Sequence, residues 1–367
     1  MVQGRLAEMD TNTEIVEIKT FIGLDVGNKY SYFCVLDESG EIVDDGKFRT
    51  NKASLERMFR DYSEACVAME VGAHSRWMGA LLEDLGLEVL IANSRKVRLI
   101  YAGNTKNDRI DAEKLARLAR VDPSLLYPIV HRSDDHQADL RLLKARDLVV
   151  ETRTSHINHV RGALKDHGVK IGRVSANAFA QRVRENVEKE MLTAMNPLLE
   201  LIDTLTEKIR WYESKLKELV EQKYPEVDLL RQVDGIGPIT SLTYALTIGD
   251  PSKFKKSRKV GPFLGLCPGQ DASGESCPEL RITKAGNKNL RRLLVQCAQY
   301  ILGPFGKDCD LRRWGLKKAE GGKRAKQRAV VGVARKLSVL LHRLWTTGEV
   351  YEPLRNADPG AISQQAA

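Results

Sequence analysis

Four carboxylates have the type and spacing to do chemistry together. Asp25 closes the apolar run FIGLD within GLDVGNK, and Glu70 closes ACVAME within MEVGAHS. A carboxylate at the end of an apolar strand is costly to desolvate unless a cation meets it, and a divalent metal is the economical partner. The segment KNDRIDAEKLARLAR sets Asp108 and Asp111 three residues apart at the start of a helix, so both project from one face. If that helix lies beside the strands, the four acids converge and can hold two Mg²⁺ or Mn²⁺ ions. Such a pair of ions activates a nucleophile and stabilises a leaving oxygen in phosphoryl transfer. As isolated features, Asp108 and Asp111 are also ordinary favourable charges at a helix N-terminus.

The elements that must position these acids are legible in the periodicity. FIGLDVG, YSYFCVLD and EIVDDGKF, the last two joined by the turn ESG, predict three adjacent strands in an antiparallel meander. A helix over Ser54–Tyr62, the strand ACVAMEV, a helix over His74–Leu85, the strand LEVLIA and a helix over Asp108–Arg120 follow. Alternating strands and helices imply an α/β domain. Beyond Pro123 and Pro128 the strands stop, and 136–167 and 187–223 have helical composition. In the second segment Ile202, Leu205, Ile209, Tyr212, Leu216 and Leu219 step by three and four, as in a coiled-coil seam. An antiparallel helical hairpin or a dimerising stalk is expected, giving a homodimer or homotetramer; a stripe packed on the protein's own core would read the same way. The expected organisation is a loose tail over 1–18, an α/β catalytic domain over 19–130, a helical coiled-coil region over 131–225, a mostly α C-terminal domain over 226–350 and a tail over 351–367.

Charge is divided unevenly along the 367 residues, whose formal net charge is +9. Residues 1–130 hold 17 Lys and Arg against 21 Asp and Glu, a net of −4, whereas 251–350 hold 22 against 7, a net of +15. The basic half is the polyanion-binding candidate, although a basic surface can also be merely solvated. No run approaches the roughly 20 apolar residues that span a bilayer, and the first residues do not form a signal peptide, so a cytoplasmic location is expected. The six cysteines, Cys34, Cys66, Cys267, Cys277, Cys297 and Cys309, read as reduced structural thiols, because the Cys267/Cys277 spacing is wrong for a zinc knuckle.

Acid on the first strand, acid on the fourth and D-x-x-D on a later helix is the order of the ribonuclease H-like fold in its RuvC-like form. GLDVGNK, MEVGAHS and KNDRIDAEKLARL together resemble the N-terminal pattern of the DEDD transposases of the IS110 insertion-sequence family. The stretch from Lys253 to Ala298 resembles the second block of that family: F-x-G-L-x-P, a Ser-Gly pair, then a basic K-x-G-N-x-x-L-R-R-x-L helix. The resemblance covers most of residues 19–300. It implies that Ser273 is the nucleophile on DNA, with a phosphoserine link conserving bond energy for rejoining; Ser276 competes for that role, and alone either serine is an ordinary turn residue. It further implies donor and target DNA and a structured element-encoded guide RNA as partners, and acidic and serine sites that come together. Arg281, Lys284, Lys288, Arg291 and Arg292 then read as phosphate contacts, with Gly286-Asn287 as the turn before their helix. Gly235-Ile236-Gly237-Pro238, between two short amphipathic segments, looks like a helix-hairpin-helix with N–H groups facing a phosphate. The eight basic residues in Arg312–Arg328 offer a further nucleic-acid surface.

The function expected from all this is a site-specific DNA recombinase that mobilises an insertion sequence. Two other classes fit parts of the pattern. A RuvC-like junction nuclease would cut with metal-activated water and need no serine. A nucleic-acid-binding scaffold with a decayed site would need neither, but all four acids and the serine are present.

Overall fold

A computed structural model describes residues 20–97, 107–271 and 280–356. The expected N-terminal tail, the end of the C-terminal tail, and the segment carrying Ser273, Ser276 and Cys277 lie outside the described residues. The chain forms two compact units, one up to His131 and one from Arg132 onward.

The first unit is built on one sheet. Strands β1 (Thr20–Asp25), β2 (Tyr30–Leu36) and β3 (Ile42–Arg49) form the expected antiparallel meander. Strands β4 (Ala65–Glu70) and β5 (Glu88–Ala92) join it in parallel, giving the order β3-β2-β1-β4-β5. Their alternation sorts the two faces. Ile22, Leu24, Val67 and Met69 point into one core with Phe33, Phe48 and Phe59. Helices α1 (Lys52–Phe59) and α2 (Ser75–Asp84) cover that side through Leu55, Met78 and Leu82. Cys66, Ala68 and Ala92 point to the opposite face, which a short α3 (Ser94–Val97) and the long α4 (Asp108–Val121) close with Val97, Leu115 and Ala119.

The second unit is helical. Helices α5 (Asp134–Asp166) and α7 (Lys189–Lys223) pair as a long hairpin, with α6 (Phe179–Asn186) packed at its tip. Of the expected seam, Ile202, Ile209 and Leu216 are buried within this chain, so the stripe serves an intramolecular hairpin. Its base packs on α8 (Glu226–Arg231) and α9 (Pro238–Ile248) through Leu140, Leu143, Leu216, Val227 and Leu242. The remaining core joins α10 (Val260–Phe263), α11 (Lys288–Leu302), α12 (Asp310–Ala319) and α13 (Lys323–Thr347). Amphipathic α9 was the expectation, but every residue from Thr240 to Ile248 is buried. Two of its hydroxyls turn back on the helix, Ser241 donating to the Gly237 carbonyl and Thr243 to that of Ile239, and Thr240 and Thr247 accept from Cys297 and Asn287, so all four enter the core satisfied. Among the described residues, no helix is long and apolar enough to cross a membrane.

Candidate functional site

The acidic cleft is set by sheet register. Leu24 pairs with Met69, so Asp25 and Glu70 are the next residues of two adjacent parallel strands. On the other side Asp25 pairs with Tyr32, and Tyr32 with Lys47. Residues level across a sheet share a face, so Lys47, Tyr32, Asp25, Glu70 and Ala92 form one transverse row. Gly23, two residues before Asp25, and Ala68, two before Glu70, both face α4. Both acids therefore project toward that helix from the C-terminal ends of their strands, where both are half-buried.

Gly23 decides how close the helix comes. A Cβ there would lie 1.9 Å from the Ala112 carbonyl oxygen and 2.5 Å from the Ala116 nitrogen, so α4 rests on bare backbone. The direction of α4 follows from its other end. Arg117 donates to the Gly40 carbonyl at 3.3 Å and Arg120 to that of Glu38 at 3.2 Å, on the turn after β2, level with the start of β1. Helix α4 therefore runs antiparallel to β1, and its first turn arrives at the Asp25 end. Asp108 and Asp111 stand one turn before the sheet-facing Ala112 and Leu115. Asp108 lines an open depression of about 510 Å³ with Tyr32, Lys47, Asn107 and Arg109. Asp111 meets Lys114 at 3.2 Å, and the Asn107 side chain caps the helix through the Arg109 N–H. The dipole of α4 favours negative charge at this end.

Sheet register and the direction of α4 thus put Asp25, Glu70 and the first turn of α4 at the same end of the sheet. Among the described residues, no three His, Cys, Asp or Glu side chains are gathered closely enough to hold a metal ion as they stand. The donor chemistry nonetheless fits a hard divalent cation: carboxylate oxygens, one of which, on Asp111, already holds the Lys114 ammonium.

Two residues that the sequence analysis left unassigned tie the loops behind the acids together. His74 Nε2 lies 3.3 Å from Asn28 Oδ1, linking the segment after β4 to the segment after β1. Trp77 Nε1 donates to His74 Nδ1 at 3.0 Å. Indole N–H is only a donor, so Nδ1 is the acceptor and Nε2 carries the proton given to Asn28. The signal was the spacing: Asn28 follows Asp25 by three and His74 follows Glu70 by four, inside the motifs already marked. Deeper, Ser75 Oγ contacts His131 Nε2 at 3.1 Å, and burial followed by the nearby Arg76 charge holds that imidazole below its ordinary value.

The basic candidates lie in the second unit. Residues 265–269 and 281–284 form an antiparallel ladder, with Thr283 N–H donating to Cys267 O and Gly269 N–H to Arg281 O, both at 2.9 Å. This ladder clamps the two ends of the segment that carries Ser273. It is locked by two glycines at positive φ: a Cβ on Gly265 would lie 2.2 Å from the Ala285 nitrogen, and one on Gly286 2.1 Å from the Phe263 oxygen. Arg281, Lys284, Lys288 and Arg292 are exposed around it. Arg291 donates to Leu264 O at 2.9 Å and to Ala285 O at 2.7 Å. Asn287 is the N-cap of α11, accepting from Leu290 N–H at 3.0 Å. Gly235 has φ +88° and packs on the Tyr300 ring, whereas Gly237, at the start of α9, has open space around it. Of the basic run, Arg312 is held by the carbonyls of Ile301 and Gly303, and Arg313 by Asp308 at 2.7 Å.

Comparison with known proteins bears on both units. Residues 22–168 match the family model of the IS110 DEDD transposase, described as a transposase. Residues 227–306 match the transposase family IS116/IS110/IS902. The chain is 29% identical over 360 residues, 96% of each sequence, to the transposase of insertion sequence IS1111A of Coxiella burnetii. It is 30% identical over 289 residues, 77% of this chain and 84% of the relative, to the IS1328 transposase of Yersinia enterocolitica. It is 28% identical over 344 residues, 90% of this chain and 98% of the relative, to a probable family 20 transposase of Pseudomonas aeruginosa. On these matches, the chain belongs to the IS116/IS110/IS902 family of transposases.

Proposed function

We propose that this transposase cuts and rejoins DNA strands through the cleft of Asp25, Glu70, Asp108 and Asp111, with Ser273 as the attacking group. The observation that carries this is the antiparallel placement of α4 over β1, which brings the D-x-x-D turn to the row holding Asp25 and Glu70. The unit is read as RuvC-like. A divalent cation held by these four residues would supply Lewis acidity toward a phosphate oxygen. The chain's own part is to fix the carboxylates through the sheet, to orient the flanking loops through His74 and Asn28, and to present Lys47 at the cleft rim.

In the covalent step Ser273 Oγ forms a bond to phosphorus while the bond to one deoxyribose oxygen breaks. The seryl proton is lost, the freed sugar hydroxyl gains one, and the phosphodiester is conserved as a phosphoserine that a second hydroxyl can reverse. The exposed Arg281, Lys284, Lys288 and Arg292 hold strand phosphates around the ladder, and the open N-terminus of α9 at Gly237 acts as a helix-hairpin-helix grip on the backbone. An element-encoded structured RNA chooses donor and target.

The test is a strand-exchange assay with the element's RNA. Ser273→Ala and Asp25→Ala are each expected to abolish exchange. Full activity of the first would sink the serine mechanism, and full activity of the second the metal-binding role.

A further inference from the structure

The tip of the α5/α7 hairpin carries a feature that the catalytic assignment does not use. The chain leaves α5 at Asp166 and turns through 167–175 before α6. Within 169–174 the side chains alternate: Val169, Ile171 and Val174 pack against the tip core of Val160, Leu164 and Phe179, while Lys170 and Arg173 point to solvent. The loop is pinned from below by Arg161, which donates to the Ile171 carbonyl at 2.8 Å and lies over the Phe179 ring at 4.9 Å. Between loop and helix is an open depression of about 1020 Å³ whose charged lining is Arg161, Lys165, Lys170 and Arg173, with no acid.

Four like charges around one concavity repel one another, an arrangement that gains energy only when an anion enters. Among the described residues, none of the four is ion-paired with a carboxylate, whereas Lys215, Lys217 and Arg184 on the same hairpin and its neighbour are. Residues 161–174 hold a single acid, Asp166. The depression is broad, shallow and exposed, which suits a phosphodiester backbone better than a small anion that needs enclosure. The hairpin also sets its reach. Leu143 packs at the base beside α9, and Leu164 at the tip, a separation of about 30 Å at 1.5 Å per helical residue. That is close to one turn of duplex DNA.

We propose that this tip is a second DNA-backbone contact, gripping duplex phosphates about one helical turn from those held at the hairpin base. It rests on the DNA-binding reading above but not on the chemistry of the cleft or of Ser273.

The test measures binding of the full-length protein to a labelled duplex about four turns long, as a function of salt. In the variant Lys165→Ala/Lys170→Ala/Arg173→Ala all three changes are at exposed positions, and Arg161 is kept for its role in the loop. Each lost phosphate contact removes about 0.9 from the slope of log K against log salt, so the slope should fall by about 2 to 3, and affinity near 0.1 M salt by at least about tenfold. A charge-matched control, Arg60→Ala/Lys215→Ala/Lys217→Ala, removes ion-paired cations and should leave the slope unchanged. Lys165→Arg/Lys170→Arg/Arg173→Lys should bind as the unaltered protein does. An unchanged slope in the alanine variant overturns the proposal, and so does a loss confined to a structured RNA with duplex binding intact. Duplex binding by the unaltered protein, read in the same titration, separates failure of the tip contact from failure of DNA binding as a whole.

Discussion

Replacing Gly23 with alanine tests how the cleft is assembled without touching any acid. The new Cβ would lie 1.9 Å from the Ala112 carbonyl oxygen. Restoring an ordinary contact of about 3.4 Å requires α4 and β1 to separate by about 1.5 Å. Neither neighbour is a flexible side chain, because both close atoms are helix backbone. Overpacking of this kind costs about 1–3 kcal/mol, read as a lowered urea midpoint of the first unit. The same shift moves Asp108 and Asp111 away from Asp25 and Glu70, and a displacement near 1 Å at reacting groups costs on the order of 100-fold in rate. Gly23→Ala should therefore lower stability modestly and strand exchange by about two orders of magnitude, with duplex affinity little changed. Gly162→Ala, where a Cβ meets nothing within 4 Å, is the control for adding a methyl group where no neighbour is met. Unaltered stability and activity in Gly23→Ala would refute the close approach of α4 as the positioning device.

Two further outcomes follow from the same geometry. Arg291→Met removes two hydrogen bonds to Leu264 O and Ala285 O and should destabilise the second unit by about 1–3 kcal/mol in urea unfolding, whereas exposed Arg292→Met should change stability by less than about 0.5 kcal/mol; equal, purely affinity-lowering effects would return Arg291 to the phosphate contacts. His131 has a folded value held below its ordinary 6.5 by burial, so the folded state binds its proton less readily than the unfolded chain. Its contribution is fully present above about pH 6.5 and is lost as pH falls below that toward the folded value. Urea midpoints measured from about pH 7.5 to pH 5 should fall more steeply for the unaltered protein than for His131→Gln, and parallel curves would contradict the assignment.

Much of the first unit was legible because its strands alternate cleanly and its acids end them. The meander, the two later strands and the start of α4 at Asp108 all follow from local pattern. The direction of α4 over the sheet was not, because it depends on Gly23 meeting Ala112 and on Arg117 and Arg120 reaching the turn at Glu38–Gly40, contacts far apart in sequence. In the second unit, the seam of α7 showed that a face is buried but not against what, since a stripe of this length serves a hairpin and a dimer equally. Helix α9 was misread as amphipathic because its Ser and Thr look polar in sequence, while Ser241 and Thr243 are satisfied within the helix and Thr240 and Thr247 accept from Cys297 and Asn287. The bonds of Arg291 to Leu264 O and Ala285 O could not be read ahead, because the first depends on a loop 27 residues earlier in the chain, whereas Asn287 as the turn before its helix is a local feature and is seen as the N-cap. His74 and Asn28 passed unmarked because hydrogen bonds between two loops leave no periodic trace.

The central claim is that the acidic cleft and Ser273 act in one reaction on DNA, and the most direct measurement is covalent trapping. Labelled donor duplex is incubated with the protein, the guide RNA and Mg²⁺, quenched in denaturant, and the adduct mapped by peptide mass. The account predicts a protein–DNA adduct at Ser273, absent from Ser273→Ala and from Asp25→Asn. Cleaved DNA with free 5′-phosphate ends and no attached protein, formed equally by Ser273→Ala, would contradict it and identify a hydrolytic nuclease instead.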